Sequence, residues 1–210
     1  MSSASEPASR SRPWNHNLQF HSWILKNMPV PCESALDAGC GDGVLTSKLG
    51  ARARLVTGID ISTAMIAIAQ AGAAPKNVTF VQGDVLSYPL PPGQFDFIAA
   101  VAVLHHMPFA AVLRHMSALL RSDGVLAVVG LARNKSVADY AVSAASIPVS
   151  RFFHRRYGWW DSPALRIDPD MTYAEIKRTS KAVLPGVAVR RRLFFRYTLL
   201  WRKPSSATSS

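Results

Sequence analysis

Five short, largely apolar runs recur along the first two thirds of the chain, at residues 34–38, 54–59, 78–82, 95–101 and 125–131. Runs of this length and character fit strands buried on both faces. Helix-compatible stretches lie between them. The clearest covers 109–121, where Phe109, Val112, Leu113, Met116, Leu119 and Leu120 share one face and Pro108 opens the segment. This alternation predicts right-handed βαβ crossovers and a mostly parallel sheet. Toward the end, Thr172 and Glu175 form a T-x-x-E capping box. It leads a helix with Tyr173, Ile176, Ser180, Val183 and Leu184 on one side, stopped by Pro185 and Gly186. Residues 187–195 and 197–203 then read as two strands with barely any loop, so they should pair antiparallel.

The ends differ from this body. Residues 1–13 and 204–210 are rich in Ser, Arg and Pro or in Ser alone, and read as disordered tails around one domain at 14–203. The segment at about 134–170 interrupts the alternation and reads as an insertion. The longest apolar run, eight residues from Phe97 to Leu104, is too short to span a bilayer, which takes about 20. The first 13 residues lack the apolar core of a secretory signal. Cys32 and Cys40 are the two cysteines, too few for a disulfide framework, so a cytoplasmic setting is expected.

Charge is uneven. The net charge is +11; residues 1–132 hold nine Lys/Arg against eight Asp/Glu, and residues 133–210 hold fifteen against five. A basic C-terminal third suits a polyanion partner or is simply a solvated face.

The stretch from Ala35 to Leu45 reads A-L-D-A-G-C-G-D-G-V-L. A strand runs into Gly39, Gly41 and Gly43, and a helix begins at once. The glycines permit a tight turn and close approach to a ligand. A dinucleotide fingerprint would need glycine at position 44, which is Val44, and no Gly-Lys-Ser/Thr follows for a P-loop. The second strand ends in Asp60, where a carboxylate can accept from both ribose hydroxyls. The third leads into Gly83, Asp84 and Val85, an acid and an amide able to read an adenine edge. The fourth, with Asp96 near its start, leads to Val101 and then Leu104, His105 and His106. In a parallel sheet these strand ends share one edge.

Together with the L-L-R-x-x-G run from Leu119 to Gly124, these motifs resemble the class I S-adenosylmethionine-dependent methyltransferases. The bacterial small-molecule group, ubiquinone/menaquinone-biosynthesis-like, carries a similar Leu-His-His after strand four. The resemblance covers about residues 15–132. It implies a Rossmann-like α/β fold: a seven-stranded, mostly parallel sheet with an antiparallel last strand, helices on both faces and a small helical cap insertion. It also implies S-adenosyl-L-methionine as cofactor. Asp37, Gly39, Cys40 and Gly41 should line its methionine part, Asp60 the ribose, Ile61 and Asp84 with the Val85 amide the adenine, and the backbone at Val101 the sulfonium. Asp42 either joins them or caps the following helix.

Methyl transfer from a sulfonium is an in-line displacement whose donor is already activated, so positioning and desolvation carry much of the catalysis. His105 and His106 are the catalytic candidates: a general base, a hydrogen-bond donor to the acceptor, or packed loop residues. A metal site is not expected, since two adjacent histidines lack an acidic partner at a suitable spacing. The insertion carries Tyr140, Trp159 and Trp160, and reads either as an aromatic cap binding an apolar acceptor or as a satellite of the core. His21, in an N-terminal segment entering a helix up to about Asn27, is a further candidate for acceptor contact. The expected function is methylation of a small-molecule acceptor. RNA methylation through the basic third and catalytically silent cofactor binding are the alternatives. The acceptor, the atom methylated and the oligomeric state are left open by these residues.

Overall fold

In a computed structural model, residues 17–133, 168–193 and 195–205 are described. Seven strands form one sheet: β1 (Ser34–Ala38), β2 (Leu55–Asp60), β3 (Val78–Gln82), β4 (Phe95–Val101), β5 (Leu120–Leu131), β6 (Ala188–Arg191) and β7 (Arg196–Arg202). Their order is β3-β2-β1-β4-β5-β7-β6. Pairing is parallel from β3 through β5, whereas β7 runs antiparallel to both β5 and β6. Five α-helices flank the sheet among the described residues: α1 (His21–Lys26), α2 (Val44–Gly50), α3 (Thr63–Ala71), α4 (Phe109–Leu119) and α5 (Tyr173–Val183). The expected sheet, with its antiparallel last strand, is the one observed.

The alternation of side chains along β4 divides the core. Ile98 and Ala100 enter a cluster with Val112, Leu113, Met116, Ile176 and Tyr197, beneath α4 and α5. Phe97 and Ala99 enter the opposite one, with Ile24, Leu45, Leu49 and Val129, beneath α1 and α2. Fully buried side chains such as Leu113 and Phe97 each contribute roughly 1.5–3 kcal/mol of hydrophobic stabilisation.

Three local expectations are corrected. The helix at 109–121 stops at Leu119 because Leu120 is already extended (φ −72°, ψ 140°) and begins β5, five residues before the apolar run. Lys203 Nζ caps that helix end, donating to the carbonyls of Ser117 (2.9 Å) and Leu120 (2.6 Å). No helix joins β3 to β4; Ser87 and Tyr88 donate to the Asp84 carbonyl in a turn, and Pro89, Pro91 and Pro92 then have no N–H to give. β6 is shorter than expected, four residues ending at Arg191. Ser205 Oγ donates to both carboxylate oxygens of Asp123. The capping box at Thr172 and Glu175 is present in both directions.

Asp96 ties the opposite, amino-terminal edge together. Its Oδ2 accepts from the amides of Glu33 (2.8 Å) and Ser34 (2.9 Å), and its Oδ1 pairs with Arg121 (2.9 Å). One carboxylate thus joins the starts of β1, β4 and β5, which aligns their far ends at the site.

Candidate active site

The carboxyl ends of β1, β2, β3, β4 and β5 lie on one edge, and the loops beyond them build the site. The turn after β1 is drawn against β2: Gly39 N and Cys40 N both donate to the Ile59 carbonyl, at 2.8 and 3.0 Å. Gly39, Gly41 and Gly43 all take positive φ, at 73°, 53° and 74°. They differ in what surrounds them. A Cβ on Gly39 would lie 2.5 Å from Val103, and one on Gly43 would lie 2.5 Å from Phe80, so both glycines serve packing. A Cβ on Gly41 would meet Met65 Cε alone, at 3.4 Å, so this is the glycine whose surroundings are open.

Asp60 ends β2 with both oxygens engaged. Oδ2 accepts from Gly41 N and Oδ1 from Ser62 N, each at 2.9 Å. Each carboxylate oxygen keeps a further lone pair. Next to it, Ile61 is 70% exposed, an apolar side chain with no protein partner for most of its surface. After β3, Asp84 Oδ1 accepts from Leu86 N (2.9 Å), and Val85 is buried. An adenosyl group suits this edge: a carboxylate with spare acceptor capacity, an apolar face beside it and an open glycine.

Asp37 lies deeper. Its carboxyl is buried and accepts from Thr46 Oγ1 at 2.7 Å. Burial pushes its pKa up to about 7; the Thr46 hydrogen bond opposes this and the neighbouring Asp60 and Asp42 add to it. Cys40 is buried as well, its thiol pushed up by burial and by the Asp37 and Asp60 charges, and its Cβ lies toward Gly58 of β2. Asp42 Oδ1 accepts from Val44 N, the first residue of α2, at 3.4 Å, which is the capping alternative. Val101 ends β4 and packs on the α1–α2 side.

Beyond β4 the chain makes a 3-10 turn at Leu104–His106. The two imidazoles stack with centroids 4.0 Å apart and a 40° tilt, and each has a buried Nδ1 with no partner among the described residues. Burial, followed by the charges of His106 and Arg196, lowers the His105 pKa to about 4, against an upward pull from Asp170. His106 is lowered by burial, against an upward pull from Asp60.

His21 opens α1. It is buried in the interface of α1 and α2, where its Nδ1 meets Lys48 Nζ at 3.3 Å, and burial and the Lys48 charge lower its pKa to about 4. Tyr140, Trp159 and Trp160 lie outside the described residues. Two residues were missed in the sequence. Thr46 holds Asp37, and an acid facing a hydroxyl nine positions on is no motif. Arg196 begins β7 at the site edge, and the sequence shows it as one Arg among many.

The family model described as a methyltransferase domain matches residues 35–124. An uncharacterized methyltransferase of Mycobacterium tuberculosis is 30% identical over 195 residues, 92% of this chain and 98% of that protein. A ubiquinone biosynthesis O-methyltransferase of Pseudomonas aeruginosa is 29% identical over 128 residues, 59% of this chain but 55% of that protein. Among solved structures, a SAM-dependent methyltransferase from Methanosarcina mazei has TM-score 0.62 at 18% identity, over 87% of this chain and 98% of the other. The magnesium protoporphyrin IX methyltransferase of Synechocystis, solved with bound SAH, has TM-score 0.58 at 20% identity, over 88% and 80%. The chain belongs to the class I S-adenosylmethionine-dependent methyltransferases. It is an enzyme of that class, with S-adenosylmethionine as its cofactor. No helix among the described residues is long and apolar enough to cross a membrane.

Proposed function

We propose that this methyltransferase acts in the cytoplasm on a small, apolar or aromatic metabolite. The observation that carries this reading is the pair of neutral imidazoles beyond β4, each with an unpartnered buried Nδ1, next to a strand edge suited to an adenosyl group. The ubiquinone O-methyltransferase relatives, which act in quinone biosynthesis by name, support it over 128 residues of the chain. Bound S-adenosylmethionine supplies a methyl on a sulfonium, an activated donor. Asp60 accepts from the ribose hydroxyls while still holding Gly41 and Ser62. Ile61 covers the adenine, which Asp84 and the Val85 amide read at its edge. Gly41 leaves room for the methionine part over the turn, with Asp37, Gly39 and Cys40 shaping that turn from within. The backbone at Val101 faces the sulfonium. His105 takes the acceptor's proton as the acceptor–methyl bond forms and the sulfur–methyl bond breaks, leaving S-adenosylhomocysteine and the methylated product.

The basic C-terminal third motivates RNA methylation as the second reading, but four of its fifteen basic side chains have internal contacts. Arg191 stacks over Tyr173 (4.6 Å), Arg192 Nε donates to Thr198 Oγ1, Arg202 donates to the Asp123 carbonyl and Lys203 caps α4. A screen of small aromatic and aliphatic acceptors, read by S-adenosylhomocysteine release, tests the proposal. Filter binding to RNA at several salt concentrations is the counter-test, because phosphate contacts give a steep salt slope. Tight, salt-steep RNA binding with no small acceptor turned over overturns the reading. S-adenosylhomocysteine binding with no turnover of either kind favours the silent alternative.

A further inference from the structure

Arg196 is the first residue of β7, and antiparallel pairing sets it opposite Leu131, the last residue of β5. This end of β7 therefore lies at the same edge as the cofactor loops. The residue is 9% exposed, and its Nε and Nη1 are both buried without an acceptor among the described residues. None of the described carboxylates forms an ion pair with it. Burial lowers its pKa only to about 10, so it remains a cation at neutral pH. A buried, unpaired charge is costly, and one kept at a site edge marks a candidate place for a counter-charge. The backbone fixes its place: Arg196 N donates to the Leu193 carbonyl (3.3 Å), and its own carbonyl accepts from Arg192 N (2.8 Å).

We propose that Arg196 anchors the methyl acceptor by a carboxylate, so that the acceptor is a small acid. This rests on the small-molecule reading above. Each of the two unpartnered nitrogens forms, together with Nη2, a planar two-donor edge that matches the two oxygens of a carboxylate. One cation matches one negative charge. Arg196 pairs with the last residue of β5, and His105 follows β4, the neighbour of β5, so the anchor and the candidate base share this edge. The strand that carries Arg196 is not the one that leads into the glycine turn. In the strand order β1-β4-β5-β7, the Arg196 strand is three spacings from the glycine turn, about 14 Å at ~4.8 Å each.

The test uses the full chain, 15N-labelled and saturated with S-adenosylhomocysteine, with the Arg196 Nε–H resonance assigned by its loss in Arg196→Lys. Sodium benzoate, benzamide and inorganic phosphate are titrated in turn. Benzoate should shift that resonance saturably, at least tenfold more tightly than benzamide or phosphate. Arg196→Lys, which keeps the charge and loses the fork, should weaken benzoate at least tenfold. Arg196→Met should abolish its binding while S-adenosylhomocysteine affinity stays within threefold and Tm does not fall. No saturable response to benzoate, equal binding of benzamide, or tighter binding of phosphate overturns the anchor. A fall in Tm with Met assigns Arg196 to structure instead, and a fall in S-adenosylhomocysteine affinity assigns it to the cofactor. Failure of the unaltered chain to bind S-adenosylhomocysteine counts against the cofactor site itself. Intact binding without a benzoate response sinks the anchor alone.

Discussion

The Asp60 carboxylate accepts the Gly41 amide at 2.9 Å, so the end of β2 holds the glycine turn that follows β1. Its other oxygen holds Ser62 N, just before α3. The residue proposed to bind the ribose is thus also a brace for the turn beneath the cofactor. Asp60→Ala should lower S-adenosylmethionine affinity roughly ten- to a hundredfold, from the loss of charged hydrogen bonds of about 1.5–3 kcal/mol. It should also lower Tm by several degrees, because two backbone amides lose their acceptor; about 1 kcal/mol corresponds to about 2–4 °C for a chain of this size. Calorimetry and thermal melts check both. An unchanged dissociation constant in a folded variant removes Asp60 from the ribose site.

The glycines of the turn should separate structure from binding. Alanine at Gly39 would take φ 73° and bring its Cβ to 2.5 Å from Val103. Gly39→Ala should cost at least about 1–3 kcal/mol of stability, from backbone strain with the clash added. Gly41→Ala meets only the end of the Met65 side chain, at 3.4 Å. It should melt closer to the parent chain yet bind S-adenosylmethionine more than tenfold more weakly. Denaturant titrations beside calorimetry decide it, and the reverse ranking for binding contradicts the proposed cradle.

The cradle was legible because its parts are local. A strand, three glycines and a helix lie within eleven residues, and Asp60 and Asp84 each follow an apolar run. The start of β5 was hidden because Arg121, Ser122 and Asp123 are polar and exposed, and Asp123 takes φ 62°, which reads as a turn. Asp96 was visible as an acid near strand four, but not its hold on Glu33 and Ser34, more than 60 positions away. The Lys48 neighbour of His21 was not legible either, because a lone histidine in a sequence does not show what it packs against. Arg196 was lost among fifteen basic residues, since burial rather than residue type sets it apart.

Stability should depend on pH from two opposing sides. Folded Asp37 holds its proton up to about pH 7, whereas unfolded it loses it near 3.8. Its contribution is therefore full below 3.8 and is lost as pH rises through about 7. His21 and His105 run the other way: each falls from 6.5 unfolded to about 4 folded, so their contribution is full above 6.5 and is lost as pH falls through about 4. Asp37→Asn keeps an oxygen for Thr46 and cannot ionise. Its stability relative to the parent chain should rise from pH 4 to pH 7 and level off above. Urea titrations at pH 4, 5, 6, 7 and 8 measure that difference, and a pH-independent gap would show that Asp37 is ionised throughout.

Turnover should carry the signature of a histidine that stays neutral well below its usual range. With His105 near 4, kcat/KM for an acceptor that needs a base should be flat from about pH 8 to pH 5, with no break at 6.5. A solvated histidine in the same role would already lose activity at pH 6. General-base catalysis contributes roughly 10²–10⁴-fold, so His105→Ala should lower kcat/KM by at least a hundredfold. S-adenosylmethionine affinity should change less than threefold, because the side chains proposed to hold the cofactor follow β1, β2 and β3 and only backbone at the end of β4 faces it. His106 stacks on His105 at 4.0 Å, so His106→Ala should act through that ring, loosening it and exposing it to water. The expected result is a smaller rate loss together with a low-pH limb moved up toward 6.5, as solvation restores the His105 pKa. Steady-state profiles of both variants, with the acceptor found by screening, make the comparison. If His106→Ala leaves the limb unmoved, the stacking does not set the protonation of His105. If both variants keep normal kcat/KM, the acceptor's proton leaves by another route.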